Sequence, residues 1–374
     1  MNDLASYAIQ ATVLGAIAFL FCLRQSKIDL FVASIITLWT ASVIAIFAKY
    51  REAQVLFYSN DQAWHQDIIN VRIPYEGIQL SITSAFNFRY LVTVPAYVVS
   101  QVGGNPMLFL KFLQLVFLLL IYFKARRFLS ECDVQVRAWQ LVFFSGPIMI
   151  FMSVLALRDL ALGYFALLFV IDRRLAIRLL GLLAALSLRP HLAAALIVGW
   201  AISEIYRYFP PRLFYFRLLC STVFVYTVGA FSYGYGATVQ QGASLSSPTS
   251  IFTQSGITRL AANFLGLQFL TLDDSVVEAS RITLVLARFV FVDTLLIPLM
   301  FLITTLRPDY KFNTQNILVF HAFIFFSGLV SQTDFNSSRQ NIAFFVSMGV
   351  LVIANLQTRN RVDTYPLSLL SSNR

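Results

Sequence analysis

The chain has 374 residues, of which 58% are hydrophobic and 12% are charged, and its formal net charge is +10. A soluble domain carries roughly 25% charged residues, so this composition excludes a water-soluble globule. The positive charges lie in short clusters between apolar blocks rather than in one basic patch. That distribution argues against a nucleic-acid partner and is typical of a membrane topology signal.

Apolar blocks long enough to cross a bilayer recur along the chain. A crossing helix needs roughly 20 apolar residues, and only helices and closed barrels satisfy the backbone in lipid. The blocks do not alternate apolar and polar residues, which excludes barrel strands. In chain order the predicted spans are roughly 6–23, 30–48, 106–123, 138–157, 160–171, 175–188, 191–206, 213–231, 285–305, 314–330 and 340–355. We therefore predict an all-α, polytopic transmembrane helix bundle of about eleven spans, within a range of ten to twelve, formed by residues 1–374 as a single integral membrane domain.

The Lys and Arg clusters orient this bundle, because cytoplasmic loops carry the positive excess. The clusters fall at every second connection if segment 86–103, which contains Arg89 and Pro95, does not span. We therefore expect 86–103 to be interfacial or re-entrant, the N-terminus to lie outside and the C-terminus to be cytoplasmic. The spans between 160 and 188 are short, which favours tilted helices or half-helices.

Several features follow from this orientation. Block 6–23 has no small-residue cleavage site after it, so we expect a retained helix. Two long loops, 49–85 and 232–284, lie on the outer side and could cover a site. The cysteines fall on or near the reducing cytoplasmic side, so no disulfide is expected. No motif for a soluble cofactor occurs in a fitting context, and we expect neither a cofactor nor a resident metal.

Three arginines on the predicted outer side are not explained by topology. Arg158, Arg189 and Arg339 each lie in a short outer connection against apolar spans. Ionisable residues at such depth are costly and line polar cavities or pair with one another. Because the guanidinium matches phosphate oxygens, three converging arginines would suit a diphosphate. The structural alternative is that Arg158 pairs with Asp159 or Asp334 and that Arg339 reaches the outer headgroups.

Candidate bases lie on the same predicted side. His191 follows Arg189-Pro190 and could act as a general base, or it could simply start a helix after proline. Asp159 is a second candidate. In loop 49–85, Asp61 and Asp67 could activate an acceptor or bind a metal, with a solvated loop as the alternative.

Three further residues could contact a glycan on the outer face. They are Trp64 and His65 in loop 49–85, and Asp334 before the last span. Separately, Arg288 and Asp293 inside span 285–305 are the kind of residues that a proton-coupled transporter uses, which keeps that class open.

The segment LALRDLALGYFALLFVIDRRLAIRLLGLLAALSLRPHLAAALIV resembles the middle of bacterial polysaccharide repeat-unit polymerases of the Wzy and EpsG types. Those chains carry an arginine followed by a polar or acidic residue at an outer helix start, which Arg158-Asp159 matches. One helical hairpin later they carry a histidine-containing outer turn, which Arg189-Pro190-His191 matches. Arg339 resembles the arginine that precedes a final span. The close match covers about residues 150–200.

This resemblance implies a GT-C-like membrane glycosyltransferase of the bacterial inner membrane. It would polymerise polyprenyl-diphosphate-linked oligosaccharide repeats at the outer face, as O-antigen and exopolysaccharide polymerases do, beside other glycan-assembly membrane proteins in the lipid bilayer. Arg158, Arg189 and Arg339 would then bind the diphosphate. The alternatives are a transporter or flippase for lipid-linked glycans, and a GT-C transferase of a single sugar from a polyprenyl-phosphate donor.

Overall fold

The computed structural model describes residues 34, 38, 65–77, 90–134, 149, 158–208, 211–241, 296–308, 313–331 and 341–362. Of these residues 90% are helical and none is in a strand, which confirms the all-α prediction for the described part of the chain. Predicted spans 6–23, 30–48 and 138–157 lie outside it apart from Ser34, Leu38 and Met149.

The helices follow the predicted spans closely in the middle of the chain and extend beyond them elsewhere. They are α1 (Ile73–Glu76, after a π-helical turn Ile68–Arg72), α2 (Tyr90–Gln101), α3 (Pro106–Glu131), α4 (Asp159–Ile171), α5 (Leu175–Leu188), α6 (Pro190–Arg207), α7 (Phe214–Gln241), α8 (Leu296–Thr305), α9 (Asn313–Ser331) and α10 (Ile342–Val362). Helix α7 continues into the predicted loop 232–284, because glycine weakens a helix by only about 1 kcal/mol and does not end it. The predicted loop 49–85 likewise contains helical residues.

Within the described residues, one helical stretch, Phe214–Ser232, is long and apolar enough to cross a membrane. Helices α4, α5 and α8 and the first part of α10 are apolar but shorter. At 1.5 Å per residue, the 13 residues of α4 reach only about 20 Å, less than the ~30 Å hydrocarbon core. The number of membrane crossings therefore stays a prediction.

Helices α9 and α10 form the centre of the described bundle. Residues 316–329 and 341–355 are buried without interruption. A helix that is apolar on every side must be surrounded by other helices. Helix α9 packs most extensively against α6 and α7, whereas α4 packs against α3, α5 and α10.

Small residues allow the backbones of α6, α7 and α9 to approach closely. A Cβ atom added at Gly199 of α6 would collide with the Leu318 carbonyl oxygen of α9. One added at Gly328 of α9 would lie 2.5 Å from the Tyr226 carbonyl oxygen of α7. Helix interfaces in membranes are enriched in such small residues, because backbone contact replaces the missing hydrophobic driving force.

We expect Gly199→Val to separate α6 from α9, because the new side chain meets backbone atoms that cannot rotate away. Overpacking of this kind costs about 1–3 kcal/mol. The measurement is the thermal unfolding midpoint of the purified chain. Ala201→Val is the matched control, because Ala201 is an exposed residue on the same helix. Equal midpoints for the two variants would contradict the close packing of α6 on α9.

A hydrogen-bonded chain joins the same three helices at the opposite end from the start of α6. The Ser221 hydroxyl lies 2.9 Å from the Tyr206 hydroxyl and 2.7 Å from His321 Nε2. His321 Nδ1 lies 2.9 Å from the Ile317 carbonyl oxygen, which can only accept, so Nδ1 donates and Nε2 accepts from Ser221. His321 is fully buried. This histidine therefore belongs to the packing of α6, α7 and α9.

An ion pair holds the C-terminal end of α4 against α3. Lys124 Nζ of α3 contacts Asp172 Oδ2, and the Arg174 backbone N–H donates to the other carboxylate oxygen. Burial opposes ionisation of Asp172, but the hydrogen bond and charge of Lys124 and the Arg174 N–H outweigh it and lower the pKa of Asp172. Together with contacts at the start of α4, this pair shows that α3 and α4 run parallel.

The lowered pKa of Asp172 makes the stability of the chain dependent on pH. The pKa of this carboxyl is 3.8 in the unfolded chain and lower in the native state. The ionised carboxylate therefore stabilises the native state at pH values above 3.8, and this contribution is lost as the pH falls through the native pKa. We expect Asp172→Asn to lower the free energy of unfolding by about 1–3 kcal/mol at pH 7. The difference from wild type should shrink below pH 4, as measured by thermal unfolding across pH. Glu131→Gln, which breaks the exposed pair with Arg127, should cost only about 0.3–0.5 kcal/mol. A pH-independent effect of Asp172→Asn would rule out the ion pair as its cause.

Candidate functional site

Arg158 joins the start of α4 to the end of α5. It occupies the N-cap of α4, and its Nη1 donates a 2.8 Å hydrogen bond to the Leu188 carbonyl oxygen. Pro190 disfavours helical conformation in the preceding residue, so Arg189 is extended and α5 ends at Leu188. The last carbonyl oxygens of a helix lack intrahelical hydrogen-bond donors. Arg158 donates to one of these oxygens, that of Leu188 at the end of α5. Arg158 therefore has a structural role that sequence analysis did not foresee.

The α5–α6 turn brings Arg189 and His191 to the same place. Pro190 begins α6, as the structural alternative for this tripeptide predicts. The positive charges of both Arg189 and Arg158 act on the His191 imidazole, so these three side chains share one end of the bundle. His191 is exposed. Its ring is therefore accessible beside two guanidinium groups.

Asp159 lies in the first turn of α4 and is 3% exposed. The positive end of the helix dipole stabilises a carboxylate at this position. The structure therefore places Asp159 beside Arg158 at the start of α4, and its role as a base stays a prediction.

Gln114 of α3 is part of this corner, although sequence analysis did not single it out. Its Oε1 accepts a 3.2 Å hydrogen bond from the Leu160 backbone N–H in the first turn of α4. Arg158 at the N-cap carries no acceptor atom, so it cannot satisfy that N–H in the usual way. Gln114 does so from the neighbouring helix and is itself fully buried.

The corner is recessed within the bundle. Gln114 lies eight residues after Pro106, the first residue of α3. At 1.5 Å per residue, the start of α4 is roughly 12 Å along α3 from its N-terminal end. Helix α10 begins at a similar level, since a Cβ added at Gly163 would lie 3.9 Å from Ile342 Cγ2. The first turn of α10 therefore packs about one turn into α4, close to the start of α4.

The remaining predicted site residues divide into two groups. Asp67 forms an exposed 3.0 Å ion pair with Arg72 within one helical segment. His65 is fully buried in that segment, which packs against α2. Four residues lie outside the described part of the chain: Asp61, Trp64, Asp334 and Arg339. The described chain resumes at Asn341, two positions after Arg339.

Among the described residues, no group of three or more His, Cys, Asp or Glu side chains is placed to hold a metal ion. Comparisons with protein-family models, with curated protein sequences and with solved structures give no match to this chain. The chemistry of the corner therefore has to be inferred from its own side chains. Two guanidinium groups, an accessible imidazole and the N-termini of α4 and α6 suit an anionic ligand.

We expect Arg158→Leu to destabilise the fold, because the Leu188 carbonyl oxygen loses a charged donor in a partly buried place. Leaving such a group unsatisfied costs about 1–3 kcal/mol. The measurement is the thermal unfolding midpoint. Arg173→Leu is the matched control, since Arg173 is exposed in the turn at the other end of α4. An unchanged midpoint for Arg158→Leu would show that this hydrogen bond contributes nothing measurable.

Proposed function

We propose that this chain is a bacterial inner-membrane glycosyltransferase that polymerises polyprenyl-diphosphate-linked glycan repeats at the outer face, as O-antigen and exopolysaccharide polymerases do. The observation that carries the proposal is the meeting of Arg158, Arg189 and His191 at one end of the bundle. The resemblance over residues 150–200 is consistent with it, because its two motifs are the residues that meet.

Exposed apolar faces support the membrane location. Helix α5 exposes Leu175, Leu179 and Leu183, which lie on one face at a spacing of four residues. Helix α7 exposes Phe216 and Phe224 among other large apolar side chains. Soluble monomers rarely expose continuous apolar surfaces of this kind, whereas a lipid-facing helix requires them.

The proposed reaction uses the arginines to stabilise the leaving group. The acceptor sugar hydroxyl attacks the anomeric carbon of the donor repeat, and the bond from that carbon to the diphosphate oxygen breaks. Negative charge develops on the departing polyprenyl diphosphate, where Arg158 and Arg189 can stabilise it. We propose that Arg339 joins them from the segment before α10.

A base must take the proton from the acceptor hydroxyl. His191 fits this role best, because its imidazole is exposed and lies beside the arginines that would hold the leaving group. Asp159 is buried and fits a charge-balancing role better. The presence of a candidate base favours an enzyme over a flippase, which would need the cationic residues without a proton acceptor.

We expect Arg189→Ala and Arg339→Ala to abolish long-chain glycan in cells, while single lipid-linked repeats accumulate on the outer leaflet. Loss of one preorganised charge at the leaving group lowers the rate by about 10²–10³-fold. The measurements are the glycan length distribution and the leaflet location of lipid-linked repeats. Arg173→Ala should leave the length distribution unchanged, because Arg173 lies at the other end of α4.

Other results would favour the alternatives. Accumulation of single repeats on the inner leaflet would support a flippase. Transfer of one sugar from a polyprenyl-phosphate donor by the purified chain would support a single-sugar transferase. In the purified polymerase, His191→Gln should slow elongation while donor binding persists, and EDTA should have no effect if Asp61 and Asp67 hold no metal.

A further inference from the structure

A buried donor on α3, beside the start of α4, has no acceptor among the residues that the structure describes. The Leu160 N–H can only donate, so the Gln114 atom facing it is the carbonyl oxygen Oε1. This orientation directs the amide nitrogen Nε2 away from Leu160. Gln114 is fully buried, and its Nε2 has no hydrogen-bond partner among the residues that the structure describes. A buried donor left in this way destabilises the fold unless a ligand accepts from it.

A lysine lies one helical turn nearer the N-terminal end of the same helix. Residues three apart on a helix are neighbours on its surface, so Lys111 adjoins Gln114, whose side chain contacts the start of α4. Lys111 is half-buried within a long apolar stretch. An ionisable residue inside such a helix usually faces the bundle interior and marks a ligand site.

The charges around this corner match one class of ligand. Among the described residues that this inference assigns to the corner, Lys111, Arg158 and Arg189 are positive and Asp159 is negative, so positive charge is in excess. A diphosphate linked at both ends, to a lipid and to a sugar, carries two negative charges. The first turn of α4 adds its helix dipole to the attraction.

We infer that Gln114 and Lys111 of α3 form the inner wall of the anion site, where the Gln114 amide and the Lys111 ammonium bind the phosphate oxygens of the diphosphate. This inference rests on the proposed function. It adds a second helix to a site that the sequence motifs place only on α4 and the α5–α6 turn. It also sets the depth of the diphosphate at the first turn of α4, roughly 12 Å along α3 from its N-terminal end.

The experiment uses inorganic pyrophosphate as the probe and the full purified chain in detergent. The reading is the rise in thermal unfolding midpoint with pyrophosphate concentration, against sodium chloride of matched ionic strength to remove general screening. We expect wild type to be stabilised by pyrophosphate. Lys111→Met should weaken the apparent affinity about tenfold or more, the usual scale for a lost charge-assisted hydrogen bond. Lys111→Arg should restore most of it.

Gln114→Glu provides the second variant. It keeps an oxygen for the Leu160 N–H but replaces the amide donor with a carboxylate that repels phosphate. We expect it to lose the response to pyrophosphate. If the buried carboxylate prevents folding, Lys111→Met decides the matter alone, and its thermal unfolding midpoint without pyrophosphate shows that it is folded. Arg173→Ala is the matched control and should respond as wild type does.

Two results would overturn the inference. If Lys111→Met and Gln114→Glu respond as wild type while Arg189→Ala does not, α3 takes no part in binding, although the arginine site of the proposed function stands. If wild type does not respond to pyrophosphate beyond the salt control, the corner is not a diphosphate site. The glycan length distribution of Arg189→Ala cells then judges the proposed polymerase separately.

Discussion

The described structure depends on how the ends of short helices are satisfied inside an apolar bundle. Helix α4 begins and α5 ends well within the length of α3, where their terminal N–H and C=O groups have no helical partners. In an apolar interior, each such group must find a partner within the protein. Gln114 accepts from the first turn of α4, and Arg158 donates to the last carbonyl of α5. Polar side chains at this depth are therefore required by the fold before any function is considered.

That requirement is also why structural and functional explanations of Arg158 are not exclusive. The residue holds α4 to α5 and, by doing so, fixes a guanidinium beside the α5–α6 turn. A group held by the backbone is preorganised, and preorganised charge is the kind that stabilises a developing anion most effectively. Arg189 is the more direct probe of function, because the hydrogen bond that its backbone N–H donates to the Ala185 carbonyl oxygen of α5 is kept in Arg189→Ala.

The opposite end of the bundle shows what a purely structural polar cluster looks like. Tyr206, Ser221 and His321 form a continuous hydrogen-bonded chain, and the histidine is closed off by the Ile317 carbonyl oxygen. A fully satisfied buried network mainly specifies how helices pack. The corner at α4 differs, because it has an exposed imidazole and a surplus of positive charge. This contrast distinguishes the surroundings of His191 from those of His321.

The sequence by itself determined the all-α class and the bounds of α4, α5 and α6, because apolar blocks interrupted by charge or by proline define helices locally. It also selected Arg158, Arg189 and His191, since charges that topology does not explain are visible without coordinates. Only the tertiary structure decided that these three residues meet, and that Gln114 of α3 accepts from the first turn of α4. The sequence does not reveal Gln114, because a hydropathy average hides one polar residue among its apolar neighbours. The face of α3 that meets α4 is also invisible in the sequence, because it is set by packing between segments that are distant in the chain.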